Sequence, residues 1–264
     1  MTLRLRAGVF SDVGPHRDAN QDAAFAASWG AAVADGVGGG PAGDLASAAL
    51  VHRLVAGGSD VADADELEVR IRGANWDLGA HVRRDPTLAG MATTFTCVWL
   101  DRRGGLLLAH TGDSRAYLVR DGHLIRQTRD DSYVQALVDQ GIVSAQDAMS
   151  HPRRNIITAS LRGDDTDLVR VVDRLPVEGD RWLLCSDGVS DYLPDDVIAD
   201  LVGRDVEVGA VAQLVVAAAL EAGSRDNVTA VVCDVEPGTP GAEEPIWAGA
   251  AADRFAGDLS GLAG

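Results

Sequence analysis

Residues 91–127, MATTFTCVWLDRRGGLLLAHTGDSRAYLVRDGHLIRQ, decide the fold class. Threonine and apolar residues fill 91–100, Arg103-Gly104 marks a turn, and 106–110 is again apolar. Residues 115–120 and 123–127 follow, joined by Asp121-Gly122, a dipeptide suited to the positive φ angles of tight hairpin turns. The stretch predicts an antiparallel meander of four strands. Upstream, 1–10 alternates polar and apolar residues as a strand does, 21–27 and 31–35 have the character of short strands, and helices are expected at 42–57 and 65–84. Downstream, short helices at 132–140 and 144–148 precede an irregular segment, 151–165. Strands at 168–172 and 182–186, helices at 194–201 and 206–222, and a strand at 228–235 complete the pattern. This is not the βαβαβ order of a doubly wound parallel sheet; clustered antiparallel strands with paired helices make an α+β sandwich.

The 264 residues carry 23 basic and 40 acidic side chains, a net charge of −17 that argues against nucleic acid or an anionic membrane as partner. No run approaches the ~18–20 apolar residues of a membrane span, and the first residues lack the pattern of a signal peptide. Cys97, Cys185 and Cys233 stand far apart, each in an apolar run, as buried free thiols do in a reducing compartment. A cytoplasmic protein is expected. Pro237, Pro240 and Pro245 divide a domain, 1–236, from a Pro/Gly/Ala-rich tail, 237–264, that is disordered by default. Trp247, Phe255, Leu259 and Leu262 could instead line one side of a short docking helix.

Chemistry concentrates where strands end. Asp35, Asp187 and Asp226 adjoin strand-like runs, and Gly36 and Gly188 follow the first two. A carboxylate at a buried strand tip is fixed in position, and the glycine lets the backbone turn and present a carbonyl. Hard cations such as Mg²⁺ or Mn²⁺ take such all-oxygen ligands and keep several waters. Asp-Gly also makes plain turns, as at Asp121-Gly122, so one such pair decides nothing. Gly38-Gly39-Gly40-Pro41-Ala42-Gly43 matches a dinucleotide-binding GxGxxG, but two helices and hairpins follow it rather than a second parallel βαβ unit. The six histidines show no ligand spacing, and Trp76, Trp99 and Trp182 are expected in the core.

Six motifs then stand in order: Arg17-Asp18-Ala19-Asn20-Gln21-Asp22, Ala34-Asp35-Gly36-Val37-Gly38-Gly39, Gly90-Met91-Ala92-Thr93-Thr94, Gly112-Asp113-Ser114-Arg115, Ser186-Asp187-Gly188 and Ser224-Arg225-Asp226-Asn227-Val228-Thr229. Together they resemble the protein phosphatase 2C family of metal-dependent phosphatases, in its compact bacterial form, over about residues 5–235. The resemblance implies a four-layer α/β/β/α sandwich, two antiparallel sheets flanked by helices, with metals in a cleft at one sheet edge. It implies that Asp35 bridges two Mn²⁺ or Mg²⁺ ions, with the Gly36 carbonyl helping to hold the second and Asp187 and Asp226 completing the first. Asp113 would hold a third, weaker ion with Asp187. Arg17 would grip the substrate phosphate, and Asp22 would orient Arg17 or a metal-bound water. The implied reaction is direct hydrolysis of phosphoserine and phosphothreonine in proteins phosphorylated by a serine/threonine kinase, by a monomer and without a phosphoenzyme.

The departures are specific. Gln21 stands where many relatives have Glu, Val37 where some have a histidine proposed as general acid, and Pro41 where many bacterial relatives have His. Ala159 replaces the arginine of the family's Thr-Arg-Ala-Leu-Gly, and Met91-Ala92 replaces Met-Gly. His151 begins the segment matching the family's substrate-selecting flap. The rival reading is a catalytically weak or inactive module that binds a phosphoprotein partner.

Overall fold

The computed structural model describes residues 2–37 and 42–255. Two antiparallel sheets pack face to face. The first runs in the order β1 (Leu3–Asp12), β11 (Val228–Pro237), β10 (Arg181–Cys185), β7 (Arg115–Arg120), β8 (His123–Arg126). The second runs β12 (Ile246–Gly249), β2 (Asp22–Ala27), β3 (Gly30–Val37), β5 (Phe95–Leu100), β6 (Leu106–Thr111), β9 (Arg170–Arg174), with β4 (Ala92–Thr93) paired to β3. Helices α1 (Gly43–Ala56) and α2 (Ala64–Arg84) cover the second sheet; α6 (Asp195–Val202) and α7 (Val208–Glu221) cover the first. The four expected layers are present.

Three buried clusters fill the three interfaces. Leu5, Val33, Val98, Leu118, Trp182 and Val231 lie among the residues between the sheets. Phe25, Trp99, Leu50 and Ile71 belong to the layer under α1 and α2, and Leu183, Ile198 and Val215 to the layer under α6 and α7. Alternation along each strand divides the side chains: Leu183 faces the helices and Leu184 the opposite sheet. Trp99 and Trp182 are buried as expected, but Trp76 is 57% exposed with Arg83 stacked on it. On α2 the inward stripe is Leu67, Ile71, Ala74, Asn75 and Leu78, and 100° per residue turns position 76 outward.

The four strands of 91–127 do not form one meander. β5 and β6 pair in the second sheet, and β7 and β8 in the first. The chain crosses between sheets at residues 112–114, where Gly112 takes φ 100° and a Cβ would meet Thr94 Cβ at 2.6 Å. Patterning shows that strands exist, but Gly-Asp-Ser serves a crossover as well as a hairpin. The crossover places Asp113 at the seam of the two sheets.

Buried Asn75 anchors the irregular segment that follows α3 (Tyr133–Asp139) and α4 (Ala145–Ala148). Its side chain accepts from Gly163 N at 2.9 Å and donates to Asp164 O at 3.0 Å. Antiparallel pairing of β2 with β3 rules out a dinucleotide-binding βαβ unit; residues 38–41 of that glycine motif lie outside the described residues.

Packing continues past residue 236, where the sequence places the end of the domain. β12 pairs with β2, setting Trp247 opposite Phe25, and the indole stacks on His52 with 4.0 Å between ring centres. In α8 (Ala250–Phe255), Ala250 and Ala251 are buried, and His52 Nε2 donates to Ala251 O at 2.7 Å. Leu259, Leu262 and the side chain of Phe255 lie outside the described residues. Removing the half-buried indole deletes packing against two rings, so Trp247→Ala is expected to cost about 2 kcal/mol. A urea midpoint unchanged from wild type would show that this segment contributes nothing to the domain.

Candidate functional site

Five carboxylates from five segments meet at one end of the sandwich. Asp22 opens β2 and is paired in register with Asp35 near the end of β3. Asp187 follows β10 and opens the short helix α5 (Asp187–Ser190), Asp226 precedes β11, and Asp113 occupies the crossover. These positions lie at or beside the ends of β2, β3, β10, β11 and β6, none of them the outermost strand of its sheet.

Small polar side chains hold the Asp22 carboxylate and the Asp35 main chain. Asp35 N donates to Thr94 Oγ1 at 3.0 Å, and its carbonyl accepts from Thr93 Oγ1 and Thr94 N. Asp22 Oδ2 accepts from Ser186 Oγ at 2.7 Å and Thr229 Oγ1 at 2.6 Å. Asn227 ties the Arg17 loop to the site: its amide donates to Val13 O and Ala19 O, and its oxygen accepts from Gln21 N. Two glycines are steric necessities. A Cβ on Gly36 would meet Gly43 O at 2.4 Å, and one on Gly188 would meet Asn227 O at 2.0 Å. Main chain thus comes within contact distance of main chain at both Asp-Gly steps.

The electrostatics follow from crowding like charges in a poorly solvated place. Burial, then the charges of Asp22, Asp187, Asp113 and Asp226, lift the Asp35 carboxyl well above the ordinary carboxylate range. Burial, then Asp113, Asp191 and Asp226, do the same to Asp187. Asp113 is pushed up to about 7, by burial first and then by Asp130 and Asp191. Burial raises Asp22 to about 6 against the two hydroxyl hydrogen bonds that favour its charged form.

Arg17 donates through Nη2 to Asp226 Oδ2 at 2.6 Å and is 43% exposed, so its partner is Asp226 and its remaining donors face solvent. Asp22, 1% exposed, turns instead to Ser186 and Thr229 at the base of the site. His110 is structural: its ring nitrogens lie 2.9 Å from Thr96 Oγ1 and from Arg129 O.

The donor set fits divalent cations. Asp187 Oδ1 and Asp22 Oδ1 are buried oxygens with no hydrogen-bond partner among the described residues. Uncompensated carboxylates of this kind are stable only when protonated or facing a cation. Among the described residues no three carboxylate, imidazole or thiolate groups already close into a cage. Ions that keep several waters and take one or two carboxylates each need no such cage.

Sequence reasoning assigned no role to Thr94, Ser186, Asn227 or Thr229. The available signal was polar residues at the tips of otherwise apolar strands, inside the same motifs as the aspartates. Asp191 and Asp130, which face Asp113, carried no signal because the turn after Asp187 and the 127–131 loop approach it only in three dimensions.

Asp22 gives a pH prediction. The folded state holds the Asp22 proton up to about pH 6, whereas the unfolded chain releases it near 3.8. Its contribution to stability is present below 3.8 and is lost as pH rises through 6, ~3 kcal/mol in total. In EDTA, Asp22→Asn, which keeps an acceptor for both hydroxyls, should flatten the fall in urea stability between pH 4 and 7. An unchanged profile would remove Asp22 as its source.

Comparison with known proteins places this geometry. The protein phosphatase 2C family model matches residues 15–220. The serine/threonine protein phosphatase PstP of Mycobacterium tuberculosis is 40% identical over 253 residues, 95% of this chain and 49% of PstP. The chain thus spans about half the length of that relative. The serine/threonine phosphatase stp of Listeria monocytogenes is 31% identical over 211 residues, covering 76% of this chain and 82% of stp. The crystal structure of the PstP catalytic domain with two manganese ions superposes with TM-score 0.82 at 37% identity, over 89% of this chain and all of that one. Stp1 of Staphylococcus aureus superposes with TM-score 0.81 at 29% identity, over 88% and 96% of the two chains. With its motifs, its sandwich and its strand-end carboxylates, the chain belongs to the protein phosphatase 2C family.

Proposed function

We propose that this chain is a metal-dependent protein serine/threonine phosphatase that hydrolyses phosphoserine and phosphothreonine. The observation that carries the reading is the convergence of Asp22, Asp35, Asp113, Asp187 and Asp226 beside a solvent-facing Arg17. Asp35, Asp187 and Asp226, with the Gly36 carbonyl, would hold two Mn²⁺ or Mg²⁺ ions, and Asp113 with Asp187 a third. Bound there, such cations supply a water acidic enough to attack phosphorus near neutral pH and neutralise phosphoryl charge. The manganese-bound PstP domain supports this assignment.

The chain's own groups do the rest. Arg17 offers the phosphate its free guanidinium donors, matching two oxygens at once, while its bond to Asp226 sets the plane of the guanidinium. Asp22, fixed by Ser186 and Thr229, adds negative charge beneath the site and a lone-pair oxygen, Oδ1, for a water proton. Asn227 holds the Arg17 loop at its working height. Val37 can give no proton, so protonation of the leaving alkoxide falls to solvent in the cleft.

The free, buried Cys97, Cys185 and Cys233, with burial pushing Cys97 and Cys185 up to about 12, support a reducing, cytoplasmic setting. No helix among the described residues is long and apolar enough to cross a membrane. The substrates are taken to be phosphoproteins made by a serine/threonine kinase, and the working unit a monomer.

The test is p-nitrophenyl phosphate hydrolysis with Mn²⁺, with Mg²⁺ and with EDTA. This leaving group needs little protonation, so the assay reads metal and phosphate binding without needing a general acid. Turnover should require metal and fall at least ~100-fold in Asp187→Asn. Arg17→Ala should raise KM more than it lowers kcat, as expected for a residue that binds phosphate throughout the reaction. Folded protein with no turnover under either metal would instead favour the phosphoprotein-binding module.

A further inference from the structure

The other end of interest is the open edge where β8 and β9 leave the two sheets unclosed. There a cleft of about 320 Å³ is lined by Arg126, Arg129, Arg170, Arg174, His110 and Gln127, and by no carboxylate. This is unexpected in a chain of charge −17 whose 23 basic residues are all arginine. Register explains the placement. Arg170, Val172 and Arg174 lie opposite His110, Leu108 and Leu106 on β6, and Leu108 and Leu106 belong to the core between the sheets. Alternation therefore puts Arg170 and Arg174 on the inner face of an edge strand, where a sandwich ordinarily places apolar side chains.

The arginines are unevenly neutralised. Arg126 pairs with Asp130 and Arg129 with Asp139, yet the buried Nε of Arg126 has no acceptor among the described residues. Arg174 donates to the Gln127 amide oxygen at 3.0 Å rather than to a carboxylate, and Arg170 has no ion-pair partner among the described residues. An inward charge on an edge strand also guards against edge-to-edge aggregation. That role needs no single sign of charge, whereas Arg126 at the end of β8 and Arg129 in the loop after it bring further positive charge to the same cleft.

We infer that this cleft is a docking site for a second phosphorylated side chain of the protein substrate. Planar guanidinium groups match phosphate oxygens pairwise, and Arg170 and Arg174 have no carboxylate partner among the described residues to compete with a dianion. Asp113 of the reaction site is three positions along the chain from His110 in the cleft, with the crossover at Gly112 between them, so the two lie at most ~10 Å apart along the backbone. One multiply phosphorylated segment can span that distance. The inference rests on the phosphatase reading for its choice of ligand, and its readout is kept independent of turnover.

The experiment measures binding of fluorescently labelled β-casein, whose phosphoserines are clustered, to the full chain in EDTA. Wild type is compared with Arg170→Gln/Arg174→Gln, with dephosphorylated and Asp-substituted casein peptides and inorganic phosphate as competitors. Phosphocasein should bind the variant about tenfold more weakly, as two lost charge-assisted contacts imply. Metal-supported hydrolysis of p-nitrophenyl phosphate should be the same in both proteins. Equal binding of phosphocasein by both would overturn the proposal, and equal binding joined to faster aggregation of the variant would assign the arginines to edge protection. Competition by inorganic phosphate as strong as by phosphocasein would overturn it in favour of a free-anion site, and equal binding of the Asp-substituted peptide would overturn its selectivity for phosphate. Loss of p-nitrophenyl phosphate turnover in wild type would sink the phosphatase reading without touching the binding result.

Discussion

Mutual repulsion among five carboxylates at the seam of two sheets is the constraint around which this molecule is built. Burial first, and like charge second, disfavour the ionised forms of Asp35, Asp187, Asp113 and Asp22 and lift them above ordinary carboxylates. A fold tolerates such a cluster only if its scaffold is rigid. Here the scaffold is three apolar interfaces, with every carboxylate placed on or beside a strand end that those interfaces fix.

Rigidity at the site comes from short polar side chains rather than from ion pairs. Ser186 and Thr229 hold Asp22, Thr94 holds the Asp35 main chain, and Asn227 holds the loop bearing Arg17. Charged arginine partners would have neutralised the carboxylates and blunted their affinity for cations. Arg17 is the exception; exposed and bonded through one nitrogen, it leaves most of its donors free. The contrast with Arg115, buried on β7 against Asp130, separates a guanidinium with donors to spare from one that braces.

Element types were legible because period-2 and helical patterns are local properties of the chain. The α+β class followed from their order, and the motif residues Asp35, Asp187, Asp226, Asp113 and Arg17 do come together. Partnership between strands was not legible. Gly112 sends the chain across to the other sheet, and nothing local distinguishes that from a hairpin. Trp76 shows the same limit on a helix, where a two-residue change of phase separates core from surface. The proline-rich stretch after 236 suggested an end, yet a four-residue strand with one tryptophan suffices to dock on β2 because Phe25 and His52 offer it a prepared surface.

The central claim is that the crowded carboxylates are a cation site, and direct binding tests it without reference to any substrate. Titration of the full chain with Mn²⁺, followed by the loss of the free-ion paramagnetic resonance signal, should show two tight ions per chain. If Asp35 holds both ions, as proposed, Asp35→Asn should lose both while remaining folded. Absence of tight Mn²⁺ binding to wild type, or an undiminished count in Asp35→Asn, would contradict the account.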